Sequence, residues 1–278
     1  MQTISPDRDH TLVYDRIIVP IDGARRALAP LPHAQTLAHS WGCPLEVVHV
    51  AIPDDPPAEA EPDGHDVRRI HSQDPAGALR DEALKTDPSG LLCMASRGRT
   101  ATGELLFGTI TGQVIRTLHR PLVVTGPELT APSTPADIRR LLVCLDGSVT
   151  SAAILPIART WATELGLEIV LLHVAYPAGD PTAGQGNVPE ETRVVTAELK
   201  RTTDDLADVG IDVRWHVVED TAPATGIVRQ AAHRGADLIV MATHGRTGLA
   251  RVLAGSVATE VIRHAPVPVL TLRPEHLH

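Results

Sequence analysis

Two segments of the 278-residue chain space their glycines in a way that suits an anion. In ATHGRTGLARVLAGS, 242–256, Gly245 opens a loop and Gly255-Ser256 closes it after nine intervening residues. In ASRGRTATGELLFGT, 95–109, Gly98 and Gly108-Thr109 repeat that spacing. A glycine lets the main chain turn with positive φ and approach a ligand closely, and the first amides of a following helix favour negative charge. Ser256 and Thr109 stand at the helix start, able to cap it or to offer a hydroxyl to phosphate. Arg246 and Arg99 follow the first loop glycine directly, where a guanidinium would screen phosphate charge. For one copy alone, plain helix-start punctuation beside solvated arginines is the slightly better reading. Two copies with the same spacing in otherwise diverged sequence favour phosphate binding.

Two aspartates also stand in equivalent places. Asp22 and Asp146 end the aliphatic runs of RIIVPIDGA, 16–24, and RLLVCLDGS, 140–148, directly before a helix. A carboxylate there can accept from ribose hydroxyls or an adenine amine, or serve the chain itself as an N-cap or Asx turn. Position alone weights the two readings equally. His49 and His173, in the next aliphatic runs, are expected to be buried and hydrogen-bonded rather than to act as bases. His244, just before Gly245, is the one titratable group beside its loop, and the first copy has Arg97 in its place, so a shared catalytic role fails. Neither a P-loop Gly-Lys-Ser/Thr nor a Gly-x-Gly-x-x-Gly occurs.

These residues need a scaffold that gathers strand ends and helix starts, and the sequence supplies one twice. Asp22 to Asp146 and His49 to His173 are both 124 residues apart, while Gly98 to Gly245 and Gly108 to Gly255 are 147 apart. The added 23 residues fall mostly between the second and third strands. There Val195, Leu199, Thr202, Leu206 and Val209 recur at helical spacing between Pro189 and Gly210 and predict a helix. The first copy has only IPDDPPAEAEPDGH, 52–65, and lacks this helix. GPELTAPSTPADI, 126–138, has linker composition. The expected organisation is a first domain over 1–126, a linker over 127–138 and a second domain over 139–278. Alternating aliphatic strands and amphipathic helices imply two tandem open parallel sheets of the α/β class, five strands each, with helices on both faces. Ligands of such sheets sit beyond the carboxyl ends of the strands, where the strand order reverses.

Composition bounds the rest. With three Trp, two Tyr and one Phe, the cores must be packed by aliphatic side chains, which suits buried parallel sheets. A net charge of -9 argues against nucleic acid and anionic membranes as partners, so an anionic ligand must be held locally. Cys43, Cys93 and Cys144 form no Cys-x-x-Cys pair and read as reduced core residues. Without an apolar leader or a long apolar run, the sequence predicts a soluble cytoplasmic chain.

The pattern Gly-x2-Gly-x9-Gly-[Ser/Thr] after the fourth strand, with Asp ending the first, resembles the universal stress protein family. The likeness covers nearly all of both copies, and 242–256 is its most specific piece. The resemblance implies a Rossmann-like, adenine-nucleotide α-hydrolase-like fold and ATP, with or without Mg²⁺, as the ligand. It implicates Asp146, Val174, Ala242, Gly245, Arg246, Gly255 and Ser256 in the second copy. In the first it implicates Asp22, Val50, Ala95, Gly98, Arg99, Gly108 and Thr109. Loop glycines and Ser/Thr would take the phosphates, and the Asp with the second-strand backbone would hold adenine and ribose. Ala242 and Ala95 replace the family's first loop glycine, which is tolerable where φ is negative. Cys144 departs from the residue that Pro20 matches, altering the adenine wall.

Three functions are in contention. The resemblance implies an ATP-binding regulatory or stress-response protein, for which no catalysis need follow. The alternatives are a slow ATP hydrolase and a nucleotide-free interaction scaffold. In the resembled family the last strands pair two domains, which implies pairing of 121–125 with 267–272 within the chain. Association of two chains as a homodimer stays open.

Overall fold

The computed structural model describes residues 13–52, 62–96, 108–129, 137–177, 188–243 and 256–275. The first half contains strands β1 (Ile17–Ile21), β2 (Leu45–Ala51), β3 (Val67–His71), β4 (Leu91–Ala95) and β5 (Leu122–Thr125). Its helices are a short 3-10 segment, η1 (Arg25–Leu28), then α1 (Leu31–Trp41), α2 (Pro75–Ala83) and α3 (Thr109–Thr117). The second half contains β6 (Arg140–Cys144), β7 (Glu168–Ala175), β8 (Val213–Glu219), β9 (Leu238–Ala242) and β10 (Val269–Leu272). Its helices are α4 (Val149–Ala152), α5 (Leu155–Leu165), α6 (Val188–Ala207), α7 (Pro223–His233) and α8 (Ser256–His264).

The ten strands of the described residues lie in one sheet of order β3-β2-β1-β4-β5-β10-β9-β6-β7-β8. Within each half every pairing is parallel, and β5 meets β10 antiparallel, with Val123 opposite Leu270. Each half is thus a doubly wound α/β unit whose order reverses beside its first strand. Alternate strand residues face opposite sides. Ile17, Val19 and Ile21 join the core under η1, α1, α5 and α6, while Ile18 and Val48 join the one under α2, α3, α7 and α8.

At the junction of the halves the aliphatic rule gives way. Tyr14, Trp41 and Trp161 pack edge to face with ring centroids 5.7 to 6.1 Å apart. Trp161 Nε1 donates to the Tyr14 hydroxyl at 3.0 Å, so a buried polar atom of the second half is satisfied by the first. Burial raises the Tyr14 hydroxyl pKa, keeping it neutral. Gly126, just past β5, lies so close to α8 that a Cβ there would collide with the Ile262 carbonyl oxygen.

The helix expected between β7 and β8 is α6, with Val195, Leu199 and Leu206 buried against the sheet. Its stripe stops earlier than the spacing predicts. The helix ends at Ala207, Val209 is 44% exposed, and Gly210 turns the chain with φ 85° while its amide donates to the Ala207 carbonyl. The reason is that Gly210, with Ile211 N donating to the Leu206 carbonyl at 3.2 Å, forms a left-handed helix cap, so Val209 falls at the cap and not on the packed stripe.

Candidate functional site

The crevice of each half opens where the order reverses, between β1 and β4 and between β6 and β9. β1 pairs with β4 only at Ile17 and Ile18, whereas β6 pairs with β9 at Leu141, Leu142 and Val143. Pro20 accounts for the earlier parting. Ile17 N donates toward β2, to the Pro44 carbonyl at 2.9 Å, so by alternation the amide position of residue 20 faces β4. A proline has no N–H to offer there. Cys144 holds the matching position in β6; burial raises its thiol to about 12, so this wall is neutral.

The aspartates sit at the mouth in matching turns. Asp22 Oδ1 accepts from Ala24 N at 3.0 Å, and Asp146 Oδ1 accepts from Ser148 N at 2.9 Å. Gly23 and Gly147 between them have φ of 81° and 78°, a conformation that explains the shared Asp-Gly. The Asx-turn reading of both aspartates therefore holds. It does not displace a ligand role, because an ionised carboxylate has about four acceptor positions and this bond uses one.

Beyond the turn the halves part. Ser148 caps α4, its Oγ accepting from Ser151 N at 3.0 Å, and Ser151 Oγ in turn donates to the Ser148 carbonyl at 2.9 Å. Ala24 has no such oxygen, and the chain continues as the 3-10 segment η1. Sequence reasoning did not single out these serines, although the spacing of Ser148 and Ser151 is that of a cap and its third helical residue.

The second strand contributes Val50 and Val174. Val50 is buried, and Val174 packs so near α7 that a Cβ on Gly226 would lie 2.9 Å from its Cγ1. Their side chains belong to the core, so what they can offer a ligand is backbone. His173 is buried, and its Nδ1 lies 2.9 Å from the Leu145 carbonyl oxygen, a bond in which the ring nitrogen must donate. It ties β7 to the end of β6, the structural role expected of it.

Ala95 and Ala242 are the last residues of β4 and β9, in extended backbone that accepts a Cβ. Thr111 Oγ1 donates to the Ala95 carbonyl at 2.9 Å, and Gly108 N donates to the Ser96 carbonyl at 2.8 Å, drawing the start of α3 back to the end of β4. Gly108 is the N-cap of α3 and supplies no side-chain cap, and Thr109 is exposed on the first turn. Ser256 is likewise exposed at the first residue of α8. The start of α3 thus lies at the end of β4, where free leading amides suit an anion. Gly98, Arg99, Gly245, Arg246 and Gly255, with Arg97 and His244, lie outside the described residues. Among the described residues no group of three or more His, Cys, Asp or Glu gathers as a metal site, and no helix is long and apolar enough to cross a membrane.

Fold and crevice together define a tandem, doubly wound α/β protein. The universal stress protein family model matches residues 13–70 and 137–273, and the chain belongs to that family. A universal stress protein of Mycolicibacterium smegmatis is 31% identical over 189 residues, 66% of this chain and 62% of its own length. One from Mycobacterium tuberculosis is 28% identical over 192 residues, 66% of this chain and 58% of its own. The chain thus spans about three fifths of these relatives' length. Among solved structures, a universal stress protein from Archaeoglobus fulgidus covers 96% of the chain and 100% of its own, with TM-score 0.67 and 18% identity, a likeness of fold.

Proposed function

We propose that this chain is an ATP-binding regulatory protein, with its principal site in the second half. What supports this reading is that the Asp146 turn follows β6 at the reversal point of the sheet, and that α8, which follows β9 on the other side of that point, opens with exposed Ser256. Asp146 would accept from the ribose, the backbone of Val174 would meet the adenine, and the loop closed by Gly255 and Ser256 would wrap the phosphates. Arg246 would screen their charge. Asp22, Val50, Gly98, Arg99, Gly108 and Thr109 would form the counterpart in the first half. Ala95 and Ala242 would line the strand ends beneath. Mg²⁺, where bound, would be held chiefly by the phosphates.

The domains are 1–126 and 139–278 with a linker between, and they act as a pair joined at β5 and β10. The three buried cysteines suit a reducing cytoplasm. Nucleotide occupancy is the signal, and turnover is not required.

The test is to denature the purified protein and to identify and count the nucleotide released. ATP near stoichiometry with the chain, reduced in Asp146→Asn, is expected; Asn keeps the oxygen that the turn needs while removing the charge. Absence of nucleotide together with no affinity for added ATP overturns the reading. ADP alone, with steady phosphate release that Asp146→Asn abolishes, replaces it with a hydrolase.

A further inference from the structure

The mouths of the two crevices differ in charge. η1 packs on β1 and β4, directly over the first crevice, and is anchored there by buried Ala27. Its other face displays Arg25 and Arg26, both exposed, three and four residues after Asp22. Neither forms an ion pair among the described residues. In the second half the residues 124 further on are Val149 and Thr150. They open α4, which packs on β9 over the second crevice, and Val149 is 73% exposed. Two guanidiniums at one mouth thus face an apolar methyl pair and a hydroxyl at the other. In a chain of net charge -9 an uncompensated arginine pair changes the local potential most for the ligand with most charge.

With both crevices read as adenine-nucleotide sites, we infer that the two rank such nucleotides differently: Arg25 and Arg26 give the first a preference for phosphate number beyond what the matched loop arginines Arg99 and Arg246 give both. Arg25 and Arg26 reach from η1 toward the outer phosphates of a nucleotide whose ribose is held at Asp22. Guanidinium forks suit this task, because they bind phosphate oxygens in pairs. Val149 offers the second site only apolar contact. An exposed pair of this kind is screened by salt, so the first site's preference fades as ionic strength rises.

The experiment measures Kd for AMP, ADP and ATP in Asp146→Ala, which leaves the first site as reporter, and in Asp22→Ala, which leaves the second. The expected ratio of Kd for AMP to that for ATP is about tenfold larger at the first site, from two exposed charge contacts. Arg25→Val with Arg26→Thr in the first background should bring the ratio down to that of the second site. Val149→Arg with Thr150→Arg in the other background should raise it. Circular dichroism confirms that each variant is folded. Equal ratios at the two sites, or a ratio that Arg25→Val with Arg26→Thr leaves unchanged, overturn the charge selection while leaving nucleotide binding intact. No affinity of the unaltered chain for any of the three overturns the nucleotide reading and this inference with it.

Discussion

The two halves share strand order, crevice position and the Asp-Gly turn, yet they differ in the layer over the second and third strands and in the segment that follows the turn. In the second half α6 lies over β7 and β8, and Trp215 and Val217 pack beneath it with Val195 and Leu199. Strand register makes Val67 and Arg69 of β3 the counterparts of Trp215 and Val217. Arg69 is exposed, as is His71 at the place of Glu219. Among the described residues no helix stands between β2 and β3, and β3 carries exposed Arg69 where β8 carries half-buried Val217. On the opposite face, toward α2, ion pairs tie β3 to its neighbours. Arg68 on β3 reaches Glu46 on β2 at 3.0 Å and Glu82 on α2 at 2.8 Å, and Arg16 reaches Glu82 at 3.4 Å. The family match is continuous through the second half but stops at residue 70 in the first. The lesson is that a crevice needs only the reversal point and two short local motifs, while the flanking layers can change if strand polarity changes with them.

The comparison can be broken most forcefully at α6. Leu199 is 1% exposed, and Leu199→Ala should cost about 2–5 kcal/mol in denaturant unfolding, with amide exchange accelerating first in β7 and β8. Uniform loss across both halves would mean that α6 does not stabilise the second half selectively.

Glu82→Gln is the matching perturbation of the first half, with an expected loss of about 1–3 kcal/mol at neutral pH. Burial alone would raise the Glu82 pKa, but the Arg68 hydrogen bond and the charges of Arg68, Lys85 and Arg16 outweigh it and hold the pKa below the usual value. A depressed carboxylate contributes its stability above the unfolded pKa and loses it as pH falls through the folded one. Acidification below about pH 4 should therefore weaken the first half, and Glu82→Gln should flatten that part of the stability profile.

Tyr14→Phe would leave Trp161 Nε1 buried without its acceptor, at a cost of about 1–3 kcal/mol. Because that bond joins the halves, a calorimetric transition that is single in the parent should broaden or split. The smallest effects belong to the caps. Ser148→Ala should cost about 1 kcal/mol, while Ala24→Ser should gain less and draw η1 toward the geometry of α4, readable from the thermal midpoint. An equal response at both positions would show that the cap is not what separates the two turns.

Much of this was legible in the chain because it is local. Strand β2 falls on the aliphatic run at 45–51, and α8 starts at Ser256 where the glycine spacing ends. The stripe of Val195, Leu199 and Leu206 identified α6, failing only at Val209, where a turn and not periodicity governs. The role of Asp22 and Asp146 was balanced between turn and ligand, since the same side-chain oxygen serves either; the backbone geometry supplies the turn bond in both. Pro20 and Cys144 stood out as a departure, but their effect on how far the strands pair depends on which neighbour residue 20 faces.

Sequence by itself determined the repeat, the parallel α/β class and the paired Asp-Gly turns, because spacing, glycine conformation and alternation act within a few residues of chain. Tertiary structure alone decided that Tyr14, Trp41 and Trp161 meet at the junction, that Arg25 and Val149 occupy matching mouths, and that Arg68 and Glu82 secure an uncovered edge. Such contacts join residues far apart in the chain, and their energies arise from burial and charge proximity that no local pattern encodes.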